Sequence, residues 1–320
     1  MLRDSYDVIV IGGGPVGITA ALRAAKLGHS AIVIDATPPS QFQFTGPTGL
    51  YSKALRDAAL RIDVGVLRKM GIGDAACWAQ ISELVDSIRM KAGDTNAEGL
   101  SVSRIPHLRG RGSLLPSDGD ELKVKVAFNE QRSDTVGGGN VILATGSKAV
   151  RLDHLGEAYT TLITHRPFPA ELRVFDSDSI KLLSFLPRSV TIVGGGIIAV
   201  EFARIFAALG AKVTMCVRAS DLPSSLARVG IDRELACTPL EVRFSLMIPS
   251  VAGIRILFDT EVASVHLPTP EECRKKAGAT QRLPVRIDLQ RTGTDEPQGR
   301  RPLMTDILFT ATGRRVDQMP

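Results

Sequence analysis

The amino-acid sequence predicts an α/β protein made of two similar βαβ units. Three observations carry this. Residues 6–35 run apolar strand, glycine-rich turn, helix, apolar strand, acid. Residues 189–217 repeat that order. Further short apolar runs at 141–144 and 306–309 supply buried strands. Strands alternating with helices of this length give a mostly parallel sheet covered on both faces.

In the first unit, Val8 to Ile11 is the opening strand. Gly12, Gly14 and Gly17 follow it at G-x-G-x-x-G spacing. Gly12 allows a tight turn, Gly14 has no Cβ and lets a pyrophosphate approach the backbone, and Gly17 lets helix and strand pack closely. The helix start offers unpaired N–H groups and a positive dipole end to phosphate. The helix runs to about Leu27 and Gly28 stops it. The strand Ala31 to Ile34 ends at Asp35, 18 residues after Gly17. A carboxylate there can accept both ribose hydroxyls of an adenosine. These parts together make a Rossmann-like dinucleotide unit rather than an isolated glycine motif.

The second unit lies at a constant offset. Gly194 and Gly196 match Gly12 and Gly14, each 182 residues on, and Ala199 matches Gly17. Alanine is tolerated at that third position. Gly210 matches Gly28 as the helix stop. Asp35 maps onto Val217, so the second unit lacks the acid, and Arg218 comes next. A 2′-phosphate repels carboxylate and suits a guanidinium. The first unit therefore suits FAD, and the second leans to NADP(H).

Between the units, residues 36–51 are expected as a loop and Ser52 as the N-cap of a helix reaching Met70. A second helix is expected over 74–91, a polar loop over 93–99, and a half-exposed strand over 120–128. Gly137-Gly138-Gly139 is expected to turn the chain before the strand Val141 to Ala144, which leads into Thr145-Gly146. Residues 151–175 are expected to link the domains, and Asp176-Ser177-Asp178-Ser179 to open a short helix. Weak helix is expected from Asp232 to about Ser245. Strands are expected at 254–258, 261–267 and 283–290, with a polar insertion at 268–282. A last buried strand, Asp306 to Phe309, runs into Ala311-Thr312-Gly313-Arg314-Arg315.

Composition bounds the function. The chain has 320 residues, 44% apolar and 23% charged, enough for about two domains. The net charge of +5 comes from scattered basic residues, and aromatics are 5%, so no nucleic-acid face is expected. No apolar run reaches the roughly 20 residues of a membrane span. The first strand begins close to Met1, so no targeting segment is expected. Cys77, Cys216, Cys237 and Cys273 are widely spaced and are expected as reduced thiols of a cytoplasmic protein. The five histidines show no metal-ligand spacing.

These motifs together resemble the flavin-linked pyridine nucleotide–disulfide oxidoreductases over nearly the whole chain. The resemblance rests on Val10-Ile11-Gly12-Gly13-Gly14-Pro15-Val16-Gly17, Ser52-Lys53-Ala54-Leu55-Arg56, Ala144-Thr145-Gly146-Ser147, Val193-Gly194-Gly195-Gly196-Ile197-Ile198-Ala199-Val200-Glu201 and Ala311-Thr312-Gly313-Arg314. Within the family the sequence is most similar to the soluble, Si-specific, FAD-containing pyridine nucleotide transhydrogenases, through Ser52 to Arg56 and Phe175-Asp176-Ser177-Asp178-Ser179-Ile180.

The resemblance implies an FAD domain at 1–158, an NAD(P) domain at 159–309 inserted in it, and a return segment at 310–320. It implies that NADPH gives a hydride to FAD and leaves, and that NAD⁺ then takes the hydride at the same site. It places Lys53 near the flavin N5 edge with Glu201 as its partner. Gly12, Gly14, Pro15, Gly17, Asp35, Thr145 and Gly146 fall to FAD, Gly194, Gly196, Ile197, Ala199 and Arg218 to NAD(P)(H), and Gly313 to cofactor binding. The family's disulfide reductases carry C-x-x-x-x-C where this chain has Phe44 and Gly49. Disulfide reduction through that position is closed, because it needs a dithiol there. The family's dimerisation domain, and with it the expected homodimer interface, finds no counterpart before Pro320. A diaphorase-like or other reductase of the same family, and a non-catalytic nucleotide-binding remnant, stay open as alternatives.

Overall fold

A computed structural model describes residues 5–36, 48–116, 119, 121–155, 173–228, 230–232, 254–268, 272, 283–294 and 301–316. In chain order the first elements are β1 (Ser5–Ile11), α1 (Pro15–Lys26), β2 (Ala31–Asp35), α2 (Thr48–Arg61), α3 (Val64–Lys69) and α4 (Asp74–Val102). Then come β3 (His107–Arg109), β4 (Arg111–Leu115), β5 (Leu122–Ala127), β6 (Ser133–Leu143) and β7 (Lys148–Ala149). The second half holds β8 (Val174–Asp176), β9 (Ser189–Val193), α5 (Ile197–Ala208), β10 (Lys212–Cys216) and α6 (Leu222–Ala227). It closes with β11 (Ile254–Leu257), β12 (Thr260–His266), β13 (Val285–Arg291), β14 (Leu303–Thr305), β15 (Ile307–Thr310) and β16 (Arg314–Arg315). The chain forms two compact units: Met1–Tyr51 with Val85–Lys148 and Arg315–Pro320, and Ser52–Leu84 with Ala149–Arg314.

The first unit is built on a six-stranded sheet in the order β3-β2-β1-β6-β5-β4. β1 pairs parallel with β2 and β6, and β3 parallel with β2, while β4, β5 and β6 pair antiparallel. Alternation along the strands feeds two cores. Ile9, Ile11, Ile32 and Ile34 pack with Val124 and Val126 on one face. Val10, Ala31 and Val33 pack with Ile18, Ala21 and Leu100 on the other. Burial on both faces is why the parallel strands read as unbroken apolar runs.

The second unit carries a five-stranded parallel sheet in the order β11-β10-β9-β15-β8. Phe202 and Phe206 of α5 pack on Phe309 of β15, with ring centroids 4.3 and 6.3 Å from Phe309. An antiparallel sheet, β12-β13-β14, packs its Val262, Val285, Ile287 and Leu289 against Val174, Val193 and Leu308.

Several local expectations change. Gly137-Gly138-Gly139 lies inside β6 and makes no turn. A Cβ on Gly138 would stand 2.8 Å from both the Tyr6 carbonyl oxygen and Ile9 Cγ1, so the glycines let β1 press against β6. Residues 93–99 are helical and continue α4 to Val102. Leu100 is buried in the α1 core, and Thr95 donates to the Lys91 carbonyl at 2.9 Å, so packing overrides the polar composition. Ser52 lies within α2 and does not cap it, because the buried face Tyr51, Ala54, Leu55, Ala58 and Ala59 starts one residue earlier. The helix expected to open at Asp176 is a single 3₁₀ turn, Ile180–Leu182. The sheets bear out the strands expected at 120–128, 254–258, 261–267 and 283–290 within a few residues. Of the loop expected at 36–51, residues 48–51 are helical and begin α2, and 37–47 lie outside the described residues, as do most of the linker, the weak helix after Asp232 and most of the 268–282 insertion. Among the described residues no helix is long and apolar enough to cross a membrane.

Two glycine crossovers as candidate nucleotide sites

In each unit the glycine turn leaves the central strand where its neighbours lie on opposite sides, β2 and β6 around β1, and β10 and β15 around β9. Such switch points are where doubly wound sheets bind ligands.

Gly12 leaves β1 with φ +115°, and a Cβ there would lie 2.2 Å from the Ala144 carbonyl oxygen. The turn is tied down by Gly12 N donating to the Ile34 carbonyl at 2.7 Å and Ala144 N donating to the Ile11 carbonyl at 2.8 Å. A Cβ on Gly17 would stand 1.9 Å from the Gly12 carbonyl oxygen, so α1 lies hard against the turn. A Cβ on Gly14 would meet nothing within 4 Å. Gly14 is the N-cap of α1, Pro15 follows, and no side chain caps the helix. The positive end of α1 therefore faces an open cradle, the arrangement a pyrophosphate needs. Asp35 completes it: a Cβ on Gly13 would lie 2.7 Å from Asp35 Oδ2, so the carboxylate stands against the turn. Thr145 and Gly146 follow Ala144 in the chain, and Gly146 has φ +78°. These residues fit a dinucleotide.

The second crossover copies the first in detail. Gly194 has φ +131°, and a Cβ there would lie 2.4 Å from the Ala311 carbonyl oxygen. Gly194 N donates to the Cys216 carbonyl at 3.0 Å and Ala311 N to the Val193 carbonyl at 2.8 Å. Gly196 is the N-cap of α5, again with no side-chain cap and no acid in the first turn. Ile197 opens the helix half exposed, and Ala199 is fully buried where the first unit has Gly17. A Cβ on Gly195 would lie 2.7 Å from Val217 Cγ1, so Val217 takes the place of Asp35.

Arg218 follows Val217 and points its side chain largely to solvent, 64% exposed. Its Nε lies 2.7 Å from Glu261 Oε1. Glu261 carried no signal in the sequence: it is 43 residues further on, at an unremarkable strand position. Lys53 is exposed on α2 and Glu201 is half-buried on α5; no ion pair joins them among the described residues. Gly313, with φ +118°, accepts from Val150 N at 3.0 Å through its carbonyl. The position of Phe44 lies outside the described residues, and Gly49 is in the first turn of α2.

The Phe175–Ile180 stretch has a structural job. Asp176, 1% exposed, accepts from Asp178 N, Ser179 N and Ser179 Oγ through Oδ1, and from Arg151 Nε at 3.0 Å through Oδ2. Asp178 accepts from Ala149 N at 2.8 Å and from Arg314 Nη1 at 2.9 Å. The two ends of the Ala149–Arg314 segment are thus pinned to one turn. Ser264, His266 and Asp288 also meet, on the antiparallel sheet. There the His266 Nε2 contacts both Ser264 Oγ, at 3.1 Å, and Asp288 Oδ2, at 2.7 Å. A hydrolytic relay needs the two ring nitrogens to serve different partners. Among the described residues no group of acids, histidines and cysteines is placed to hold a metal.

Comparison with known proteins agrees with this geometry. The family model described as pyridine nucleotide-disulphide oxidoreductase matches residues 6–230. A soluble pyridine nucleotide transhydrogenase of Hahella chejuensis is 30% identical over 219 residues, 67% of this chain and 44% of that protein. One from Mycobacterium tuberculosis H37Ra is 31% identical over 215 residues, 66% of this chain and 43% of that protein. Among solved structures, LpdA from Mycobacterium tuberculosis covers 96% of this chain and 59% of its own, with TM-score 0.64 and 18% identity. The HOCl-induced flavoprotein disulfide reductase RclA from Escherichia coli covers 98% and 57%, with TM-score 0.61 and 22% identity. These two similarities show the fold. The chain spans about half the length of the curated relatives it matches.

Proposed function

The chain belongs to the pyridine nucleotide–disulphide oxidoreductase family, whose members use FAD and NAD(P)H, and from this premise we propose that it moves hydride between NADPH and NAD⁺ through FAD. The observation that carries the reading is the pair of matched crossovers with different residues at the ribose end: Asp35 in one, Val217 and Arg218 in the other. The first would hold FAD and the second the nicotinamide nucleotide. Bound FAD would supply the redox chemistry, holding the hydride between donor and acceptor nucleotide.

The residues of the chain do the binding and orienting. The turns at Gly12–Gly14 and Gly194–Gly196 present backbone N–H groups and helix dipoles to pyrophosphate. Asp35 accepts the ribose hydroxyls of FAD. Arg218 meets a 2′-phosphate with a charge-assisted, geometrically matched pair. Thr145, Gly146 and Gly313 shape the strand ends beside the two turns. Lys53 and Glu201 are assigned to the flavin N5 edge by the family resemblance alone. Phe44 and Gly49 supply no dithiol, which favours hydride exchange between nucleotides over disulfide reduction.

The test begins with flavin content: the gel-filtered chain should carry close to one FAD. With FAD bound, anaerobic NADPH should reduce a thionicotinamide analogue of NAD⁺, followed by its own absorbance. Transfer only to quinones or oxygen would make the chain a diaphorase-type reductase, and nucleotide binding without turnover would leave a binding protein.

A further inference from the structure

We propose that Arg218 and Glu261 form one two-sided ribose discriminator, in which Arg218 takes the 2′-phosphate of NADP(H) and Glu261 takes the 2′-hydroxyl of NAD(H). This deepens, and rests on, the reading of the second crossover as the nicotinamide nucleotide site. A site that exchanges hydride between the two nucleotides must accept both. A lone guanidinium at the ribose end favours the phosphorylated one, and the usual acid is absent at Val217.

The fold replaces that acid from another strand. The turn between β11 and β12 is stitched to the end of β10 by three backbone hydrogen bonds. Val217 N donates to the Leu257 carbonyl at 2.9 Å, Thr260 N to the Val217 carbonyl at 3.1 Å, and Asp259 N to the Ala219 carbonyl at 3.2 Å. Glu261, the next residue, is therefore delivered to the ribose end by the backbone. Its Oε1 holds Arg218 Nε at 2.7 Å, and its Oε2 accepts from Gln290 Nε2 at 3.4 Å, across the β12–β13 ladder. A carboxylate has about four lone-pair positions, so these two contacts leave room for a hydroxyl donor. A guanidinium has five N–H donors, so one bond to Glu261 leaves others for a phosphate. The ion pair also explains how the two functions coexist: Arg218 offsets the charge of Glu261 when a phosphate binds, and Glu261 offsets that of Arg218 when it does not.

The experiment titrates the FAD-saturated chain calorimetrically with NAD⁺ and with NADP⁺, which carry no hydride to give oxidised flavin. Arg218→Ala should weaken NADP⁺ by about tenfold and leave NAD⁺ within about twofold. Glu261→Gln should weaken NAD⁺ by about three- to tenfold and leave NADP⁺ unchanged or tighter. Glu261→Asp keeps the charge and should retain more NAD⁺ binding than Glu261→Gln, whereas a purely structural role would fail alike in both. The proposal is overturned if Glu261→Gln leaves NAD⁺ within about twofold, or weakens both nucleotides equally, even where Arg218→Ala stays selective. If the wild-type chain binds neither nucleotide, the reading of the second crossover falls first and takes this one with it.

Discussion

Gly12 and Gly14 sit two residues apart in one motif, and the structure gives them separable duties. Gly12 holds φ +115° with a carbonyl 2.2 Å from where a Cβ would be, while Gly14 has φ −74° and open space. Gly12→Ala should therefore destabilise the first unit by about 3 kcal/mol, seen as a lower urea midpoint. Gly14→Ala should leave that midpoint unchanged and lower the FAD content, because the new methyl group fills the cradle. Equal effects on stability would refute the division. Asp35→Ala should likewise spare the fold and weaken FAD by about tenfold or more, as the loss of charged acceptor bonds requires. Fluorescence of free against bound flavin would measure it.

Between elements, one carboxylate joins two arginines. Asp74, the first residue of α4, accepts from Arg68 Nε at 2.8 Å and from Arg188 Nε at 2.6 Å. Its partial burial acts to raise its pKa, but the hydrogen bonds and charges of Arg68 and Arg188 outweigh that and hold it below the ordinary carboxylate range. A lowered folded pKa means that the unfolded chain binds the proton more tightly. The stabilisation is thus complete above about pH 4 and is lost as pH falls through the folded value. Asp74→Asn should lower stability at pH 7 by about 1 kcal/mol or less, since the arginines are partly exposed, and should flatten the acid limb of the stability–pH curve. An unchanged acid limb would show that the two contacts carry no net free energy. In the first unit, Gly138→Val should cost about 1–3 kcal/mol, because the added atoms meet the Tyr6 backbone.

At the scale of the molecule, each unit has its own core. Substitutions confined to one should be felt there. Asp176→Ala removes a buried acceptor used by Arg151, two backbone N–H groups and the Ser179 hydroxyl. It should cost about 2–4 kcal/mol in the second unit. Differential scanning calorimetry should show Asp176→Ala and Gly138→Val lowering different parts of the unfolding profile. A shift of the whole profile by either one would mean that the units unfold as a single cooperative body.

The two crossovers are legible in the order of residues, and the reason is local. A tight turn and an open phosphate cradle each demand a missing Cβ at a fixed spacing, and a close helix demands a small residue, so Gly12, Gly14 and Gly17, with Gly194, Gly196 and Ala199, stand out in the order of residues. The exchange of Asp35 for Val217 was visible for the same reason. Composition misled where packing outweighed propensity: the polar run 93–99 is helix because Leu100 needs the core, and the triple glycine is strand because β1 needs the space. Other contacts depend on partners far apart in the chain and emerge only on folding. Glu261 reaches Arg218 through a strand turn bonded to the end of β10, and Asp176 gathers Arg151 across 25 residues. Such contacts are made by the register of one strand on another, and no spacing along the sequence encodes them.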